Sequence, residues 1–128
     1  MSAFSATSSF IIPQPNCTVT GPPHVHFDVA SASVRGGEDT LALMARSLVD
    51  HPTVRLELDG YTDNIGPLAL NLEISRRRAS AVRRVLIERY GVPTEQLTVM
   101  GYGPAHPLFS NDTPKGRAGN RRVEFIER

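Results

Sequence analysis

The chain has 128 residues, enough for one domain with a single hydrophobic core. Its 40% hydrophobic and 21% charged residues are ordinary for a globular protein and argue against wholesale disorder or a coiled coil. A net charge of +1 gives no global field that would attract nucleic acid or anionic lipid. The sequence shows neither a membrane helix nor a signal peptide, so we expect no direct membrane insertion and no export by the chain as given.

Proline, serine and threonine dominate the start of the chain, and this composition predicts a flexible lead-in or linker over residues 1–23. The folded domain is then expected over residues 24–128. Its first element is a strand, because residues 25–29 alternate apolar and polar side chains. A helix follows, since apolar residues recur at three- and four-residue spacing over 41–49 before Pro52 ends the pattern.

Strict alternation over residues 54–59 predicts a second strand, which leads into a polar loop rich in turn-forming residues. The longest helix is expected from Pro67 to Tyr90, since proline suits the first turn and Gly91 is a typical stop. The remaining elements are a short strand at 97–100, a proline-containing loop at 101–119 and a final strand at 122–126.

This β-α-β-α-β-β order predicts an α/β (α+β) fold, with two main helices packed on a mixed four-stranded sheet. Asn71, Ser75 and Arg78 share one face of the long helix, as a polar stripe beside an apolar one. Thr62 and Asp63 lie in the loop before this helix, at a strand end of the kind where α/β sheets place ligands.

The charges of Asp63 and Arg78 could therefore converge on one pocket. Such a pair is complementary to a zwitterion, because Asp63 would take an ammonium group and Arg78 would bind a carboxylate with two hydrogen bonds. Spacing alone leaves a second interpretation open, in which the two side chains form a structural ion pair or are solvated separately.

These residues belong to a longer pattern of sequence blocks. The blocks are Phe27-Asp28 with Ser31-Ala32, Gly60-Tyr61-Thr62-Asp63-x-x-Gly66, Asn71-x-x-Ile74-Ser75-x-x-Arg78-Ala79-x-x-Val82, Gly101-Tyr102-Gly103, Pro107, Asn111, Gly116-Arg117 and Asn120-Arg121-Arg122-Val123-Glu124. Over about residues 25–127 this pattern resembles the OmpA-like C-terminal peptidoglycan-binding domain. Tyr61 stands where that family usually has histidine and Ile74 where it usually has leucine, and both changes are mild.

The resemblance implies non-covalent binding of peptidoglycan through the diaminopimelate of its stem peptide, with no cofactor and no catalysis. Asp63 and Arg78 fall on the positions that hold the amino and carboxylate ends of diaminopimelate. By the same resemblance, Asn71 is the helix asparagine of the site. The further pocket positions are Thr62, Asp28 and Arg122, and for Arg122 a role as a brace of the strand or loop is equally open.

The family is usually a module of a protein anchored in the outer or inner membrane, so the resemblance implies a periplasmic location and the anchoring of an envelope protein to the cell wall. A homodimer is compatible with this function. The alternative that stays open is a structural or oligomerisation module of an envelope complex that does not bind the wall.

Other classes of function have weaker support in the sequence. No nucleophile with a base and an orienting group emerges from the spacing of the histidines and carboxylates, so we expect no enzyme. His24 and His26 could offer two metal positions, but zinc sites generally need three or four ligands, and we expect no metal. The arginines within 76–89 point to different helix faces, so we expect no nucleic-acid partner.

Overall fold

The computed structural model describes residues 24–26 and 38–128, which form one four-stranded sheet with helices. A short 3-10 turn, Thr94–Gln96, precedes the third strand. The elements in chain order are β1 (His24–His26), α1 (Glu38–Asp50), β2 (Leu56–Gly60), α2 (Leu68–Glu88), β3 (Leu97–Gly101), α3 (Pro114–Asn120) and β4 (Arg122–Glu127).

The strand order is β1-β4-β2-β3, and the sheet is mixed. Strands β2 and β3 are parallel, because α2 carries the chain back across the sheet between them. Strand β4 enters between β1 and β2 and is antiparallel to both. The predicted class, an α+β fold with a mixed four-stranded sheet and two main helices, is confirmed.

Apolar side chains of the strands, of α1 and of α2 form the core between sheet and helices. In the centre of the sheet, Leu58 lies opposite Phe125 on one side and Val99 on the other. Val49 was predicted to belong to the apolar face of α1, but its side chain is 49% exposed, because it lies in the last turn beyond the covered face. The residues that α1 buries are Leu41, Met44, Ala45 and Leu48.

Helix α2 buries a single stripe whose chemistry changes along its length. The prediction of a polar stripe beside an apolar one was wrong in this respect, since the polar residues take the buried positions of the first half and the apolar residues continue them. Leu68 and Leu72 lie off this stripe and are 60% and 40% exposed. The buried residues of the stripe are Asn71, Ser75, Arg78, Ala79, Val82 and Leu86.

The segment 101–119, predicted to be a loop, contains part of a helix, α3. Pro114 stands in its first turn, where a proline is tolerated, and the side chain of Thr113 caps it by accepting a hydrogen bond from the amide of Gly116 at 3.0 Å. The prediction of a loop was wrong here because proline, although it disrupts a helix interior, is compatible with the first turn of a helix. Residues 27–29 of the predicted first strand, with Asp28, lie outside the described residues.

Within the described ranges, no helix is both long enough and apolar enough to span a membrane.

Candidate functional site

The candidate site lies where the parallel strands β2 and β3 end against the middle of α2. Gly60 and Gly101 are paired at these ends, and the amide of Tyr102 donates to the carbonyl of Gly60 at 2.9 Å. A side chain at Gly60 would collide with the main-chain carbonyl of Ser75. At Gly101, a Cβ atom would lie 2.7 Å from the main-chain nitrogen of Arg76. Glycine at both positions therefore lets the helix backbone touch the strand ends.

The loop after β2 is held by main-chain hydrogen bonds to two neighbouring segments. The amide of Tyr61 donates to the carbonyl of Arg122 at 2.8 Å, and the amide of Thr62 donates to the carbonyl of Gly103 at 2.8 Å. The Thr62 hydroxyl donates to the carbonyl of Asp63 at 2.7 Å. Since Thr62 is buried, its side chain shapes the loop from inside.

Asp63 is buried and uses both of its carboxylate oxygens. Oδ1 accepts a hydrogen bond from the amide of Ile65 at 3.0 Å, and Oδ2 forms an ion pair with Nη1 of Arg121 at 3.0 Å. Both side chains of this pair are largely buried. Arg121 was quoted in the sequence pattern but was not predicted to be a site residue; its position beside Arg122 in the Asn-Arg-Arg motif was the available signal.

Two side chains of α2 reach the same loop. Nδ2 of Asn71 donates to the carbonyl of Ile65 at 3.1 Å, and Nη1 of Arg78 donates to the carbonyl of Tyr61 at 3.2 Å. Arg78 is only 1% exposed, so its guanidinium lies inside the domain beneath the loop. The helix thus brings an amide and a permanent positive charge to the main chain around Asp63.

Ser75 connects α2 to the loop after β3. Its hydroxyl donates to the carbonyl of Leu72 at 2.8 Å and accepts a hydrogen bond from the amide of Gly103 at 3.0 Å. Gly103 has a φ of 60°, a conformation that glycine adopts without strain. The loops after both parallel strands are therefore fixed to one face of α2.

Arg122 packs against the ring of Tyr61, and its guanidinium nitrogens donate hydrogen bonds to other groups of the domain. Its Nε donates to Oε2 of Glu124 at 2.7 Å, Nη1 to the carbonyl of Asn120 at 3.2 Å and Nη2 to the carbonyl of His106 at 3.0 Å. The guanidinium also lies 3.9 Å from the centre of the Tyr61 ring. With 1% exposure, Arg122 has the geometry of a brace, which favours one of the two roles that the sequence left open.

A second polar group lies on the sheet just before the loop. The pKa of Asp59 is raised to about 8, mainly by burial and to a smaller extent by the neighbouring Glu57. The pKa of Glu57 is lowered by its hydrogen bond with Asp59 and by Arg128. Burial raises the pKa of Tyr61 to about 12, and its ring stacks on Tyr102 with the centres 5.5 Å apart. Asp59 is therefore mostly neutral at pH 7, while Glu57 is charged.

Of the six predicted site residues, four surround one loop: Thr62, Asp63, Asn71 and Arg78. Arg122 supports this loop from behind, and Asp28 is not among the described residues. Within the described part of the chain, no group of three or more histidine, cysteine or acidic side chains is arranged to hold a metal ion.

Fold and site together define a class of protein: a small α+β domain with charged side chains gathered at the ends of two parallel strands, where such sheets place their ligands. The sequence matches the OmpA family over residues 27–121, and the chain belongs to that family.

Two relatives show how far the sequence similarity extends. A probable lipoprotein of Escherichia coli, YiaD, is 39% identical over 111 residues, which are 86% of this chain and 50% of the relative. The peptidoglycan-binding protein ArfA of Mycobacterium tuberculosis is 36% identical over 108 residues, 84% of this chain and 33% of the relative. The chain thus spans half or less of the length of these curated relatives.

Solved structures share the fold. The peptidoglycan-associated lipoprotein of Burkholderia pseudomallei superposes with a TM-score of 0.81 and 29% identity, covering 92% of this chain and 99% of that one. The cell wall anchor of the type VI secretion system (T6SS) of Pseudomonas aeruginosa gives a TM-score of 0.63 at 30% identity, covering 80% of this chain and 76% of that one.

Proposed function

We propose that this chain binds peptidoglycan non-covalently through the diaminopimelate of the stem peptide and anchors an envelope protein to the cell wall. One observation carries the proposal: the Asp63 carboxylate and the Arg78 guanidinium are both held, largely buried, around the loop after β2. Membership of the OmpA family supports it, as do relatives named for peptidoglycan binding and for cell wall anchoring.

The chemistry of this pair suits the free end of a diaminopimelate side chain, which carries an ammonium and a carboxylate on one carbon. Asp63 would accept hydrogen bonds from the ammonium. Its carboxylate already binds one cationic group, the guanidinium of Arg121. Arg78 would receive the carboxylate, because a guanidinium can donate two parallel hydrogen bonds to it. Burial of both side chains strengthens these contacts relative to those at an open surface.

The other site residues would complete the pocket. Asn71 and Thr62 fix the loop main chain through their bonds to Ile65 and Asp63, so their contribution is to hold the geometry of the charged pair. Arg122 would act from behind as a brace. Asp28 is retained as a pocket residue on the resemblance to the family.

Recognition without turnover is the mode of action that we infer, because the described residues of the site include a charged pair for binding and no nucleophile placed against a base. The location that fits this role is the periplasm, with residues 24–128 as the binding module of a membrane-anchored protein. Pairing of two copies would be compatible with wall binding.

Co-sedimentation with purified diaminopimelate-type sacculi tests the proposal, using two conservative variants. We expect the wild type to pellet, and Asp63→Asn and Arg78→Lys to remain largely in the supernatant. Loss of one partner of a ligand-facing charge pair commonly costs about 2 to 5 kcal/mol of binding free energy. Asp63→Asn keeps the shape of the side chain, while Arg78→Lys keeps its charge but not its fork of donors.

Matched controls separate the site from general charge and from unfolding. The variants Asp112→Asn and Arg46→Lys make the same chemical changes at exposed positions and should pellet like the wild type. Sacculi with lysine in place of diaminopimelate should bind more weakly, because lysine lacks the second carboxylate. Equal pelleting of folded Asp63→Asn and Arg78→Lys, verified by circular dichroism, would contradict the assignment of the site.

A further inference from the structure

The outer edge of β3 has main-chain groups that the sheet does not use. Among the described strands, β3 has a neighbour, β2, on one side only. The hydrogen bond from the Tyr102 amide to the Gly60 carbonyl shows which residues of this strand direct their main-chain groups towards β2. Because groups in a parallel strand face one neighbour at every second residue, Thr98 and Met100 face β2, whereas the amide and carbonyl of Val99 face outward.

The contact of Arg83 with this edge agrees with that alternation. Its Nε donates to the carbonyl of Leu97 at 3.2 Å, and its Nη2 donates to the carbonyl of Thr94 at 3.2 Å. Leu97 is two residues before Val99, so its carbonyl points to the same outer side. One arginine of α2 therefore already satisfies the first outward carbonyl of β3, and the next outward position is Val99.

A groove with a volume of about 600 Å³ runs between this edge and α2. Its helix wall carries Arg76, Arg83 and Arg84, with Glu88 at one end, and its strand wall includes Thr98 and Val99. Arg76 and Arg84 are exposed. This surface contains three of the six arginines within residues 76–89, whereas the proposed wall-binding site uses only Arg78.

We propose that this groove binds an extended acidic peptide segment of a partner protein, which adds a strand to β3 at Val99 and places its carboxylates against Arg76 and Arg84. Main-chain bonds to a sheet edge give such complexes their affinity, and side chains at alternate positions give them specificity. The positive charges select an acidic segment, and they steer its approach.

The shape of the groove favours a peptide over a lipid surface. A concave groove beside a strand edge accommodates an extended chain, whereas a flat membrane would leave the outward groups of Val99 without partners. Charged residues protect other sheet edges against association. If that were the role of these arginines, an acidic peptide would not bind.

The experiment measures binding of a fluorescent, capped peptide of alternating glutamate and valine to the 128-residue chain, by anisotropy at physiological salt. We expect saturable binding, and no binding of the same peptide with lysine in place of glutamate. The double variant Arg76→Glu/Arg84→Glu should weaken the affinity by about tenfold or more. The matched double variant Arg46→Glu/Arg55→Glu makes the same change in net charge at exposed positions elsewhere and should change the affinity by about twofold at most.

Strand addition has its own test. An acidic peptide methylated on alternate main-chain nitrogens should lose binding, because it cannot complete the ladder. Val99→Pro should also weaken binding, since proline removes the outward amide and is tolerated at a sheet edge. The proposal is overturned if the acidic peptide does not bind, if both double variants weaken it equally, if the methylated peptide binds as well, or if the arginines mediate binding only to phosphatidylglycerol vesicles.

Discussion

Asp59 lies in β2 immediately before Gly60, which leads into the loop after β2. Its side chain is buried, and one oxygen, Oδ1, lacks a partner among the described residues. Its pKa in the folded chain is about 8, raised from an ordinary value of 3.8 by burial and by Glu57. Between these two values the folded chain holds a proton that the unfolded chain releases. The free energy of unfolding contributed by Asp59 therefore falls as the pH rises from about 4 to about 8.

We expect Asp59→Asn to remove this dependence. The amide resembles the neutral acid in shape and cannot ionise, so the variant should gain stability over the wild type as the pH approaches 8. Thermal unfolding at a series of pH values measures the difference between the two curves. The exposed control Asp50→Asn should follow the wild type, and parallel curves for Asp59→Asn and wild type would contradict the buried neutral carboxyl.

Other features of single residues could be predicted only in part. Helical periodicity placed Asn71, Ser75 and Arg78 on one face, and the structure buries all three against the strand ends. The ion pair between Asp63 and Arg121 joins residues 58 positions apart, and no local pattern specifies such a contact. Charge and spacing suggested which residue types converge, but the pairing depends on how β4 enters the sheet.

At the scale of elements, the strands and both long helices could be predicted because their periodicities of two and 3.6 residues are strong. Helix α3 was missed because Pro114 and the glycines near it are also turn formers, and its stability depends on a cap and on distant contacts. Asn120, for example, accepts bonds from the amides of Leu108 and Phe109 at 2.8 and 3.0 Å. The sequence contains these residues without indicating that they meet.

The side chain of Gln96 connects the end of α1 to the segment before β2 by hydrogen bonds. Its side-chain nitrogen lies 3.0, 3.1 and 3.0 Å from the carbonyls of Leu48, His51 and Val54, and the side chain is buried. We expect Gln96→Leu to lower the free energy of unfolding by about 1 to 3 kcal/mol, because buried carbonyls lose their donor.

Urea denaturation of Gln96→Leu gives this difference directly. The neighbouring exposed residue supplies the control, because Glu95→Gln changes a side chain that lies outside the core and should leave the midpoint nearly unchanged. A midpoint for Gln96→Leu equal to that of the wild type would mean that other groups satisfy these carbonyls.

For the whole molecule, the order of strands makes the site depend on the last part of the chain. Strand β4 lies in the interior of the sheet between β1 and β2, and it buries Val123 and Phe125. The carbonyl of Arg122 holds the amide of Tyr61, and Arg121 holds Asp63. The loop after β2 is therefore complete only after β4 has paired, which couples the proposed site to the stability of the entire domain.

This coupling predicts that a core variant and a site variant lose wall binding in different ways. Phe125→Ala should destabilise the domain by about 3 to 5 kcal/mol, a large part of the roughly 5 to 15 kcal/mol typical of a whole domain. Its pelleting with sacculi should fall with the folded fraction and recover when trimethylamine N-oxide restores folding. Asp63→Asn should stay folded and fail to pellet with or without the osmolyte.

The adjacent residue on the opposite face of β4 provides the comparison for Phe125→Ala. Ile126 is half-buried outside the central core, so Ile126→Ala should cost less stability and keep most of the pelleting. If Phe125→Ala pelleted normally at a temperature at which circular dichroism shows it unfolded, binding would not require the assembled loop. Recovery of Phe125→Ala by the osmolyte, without recovery of Asp63→Asn, would instead separate the charges that bind the wall from the fold that positions them.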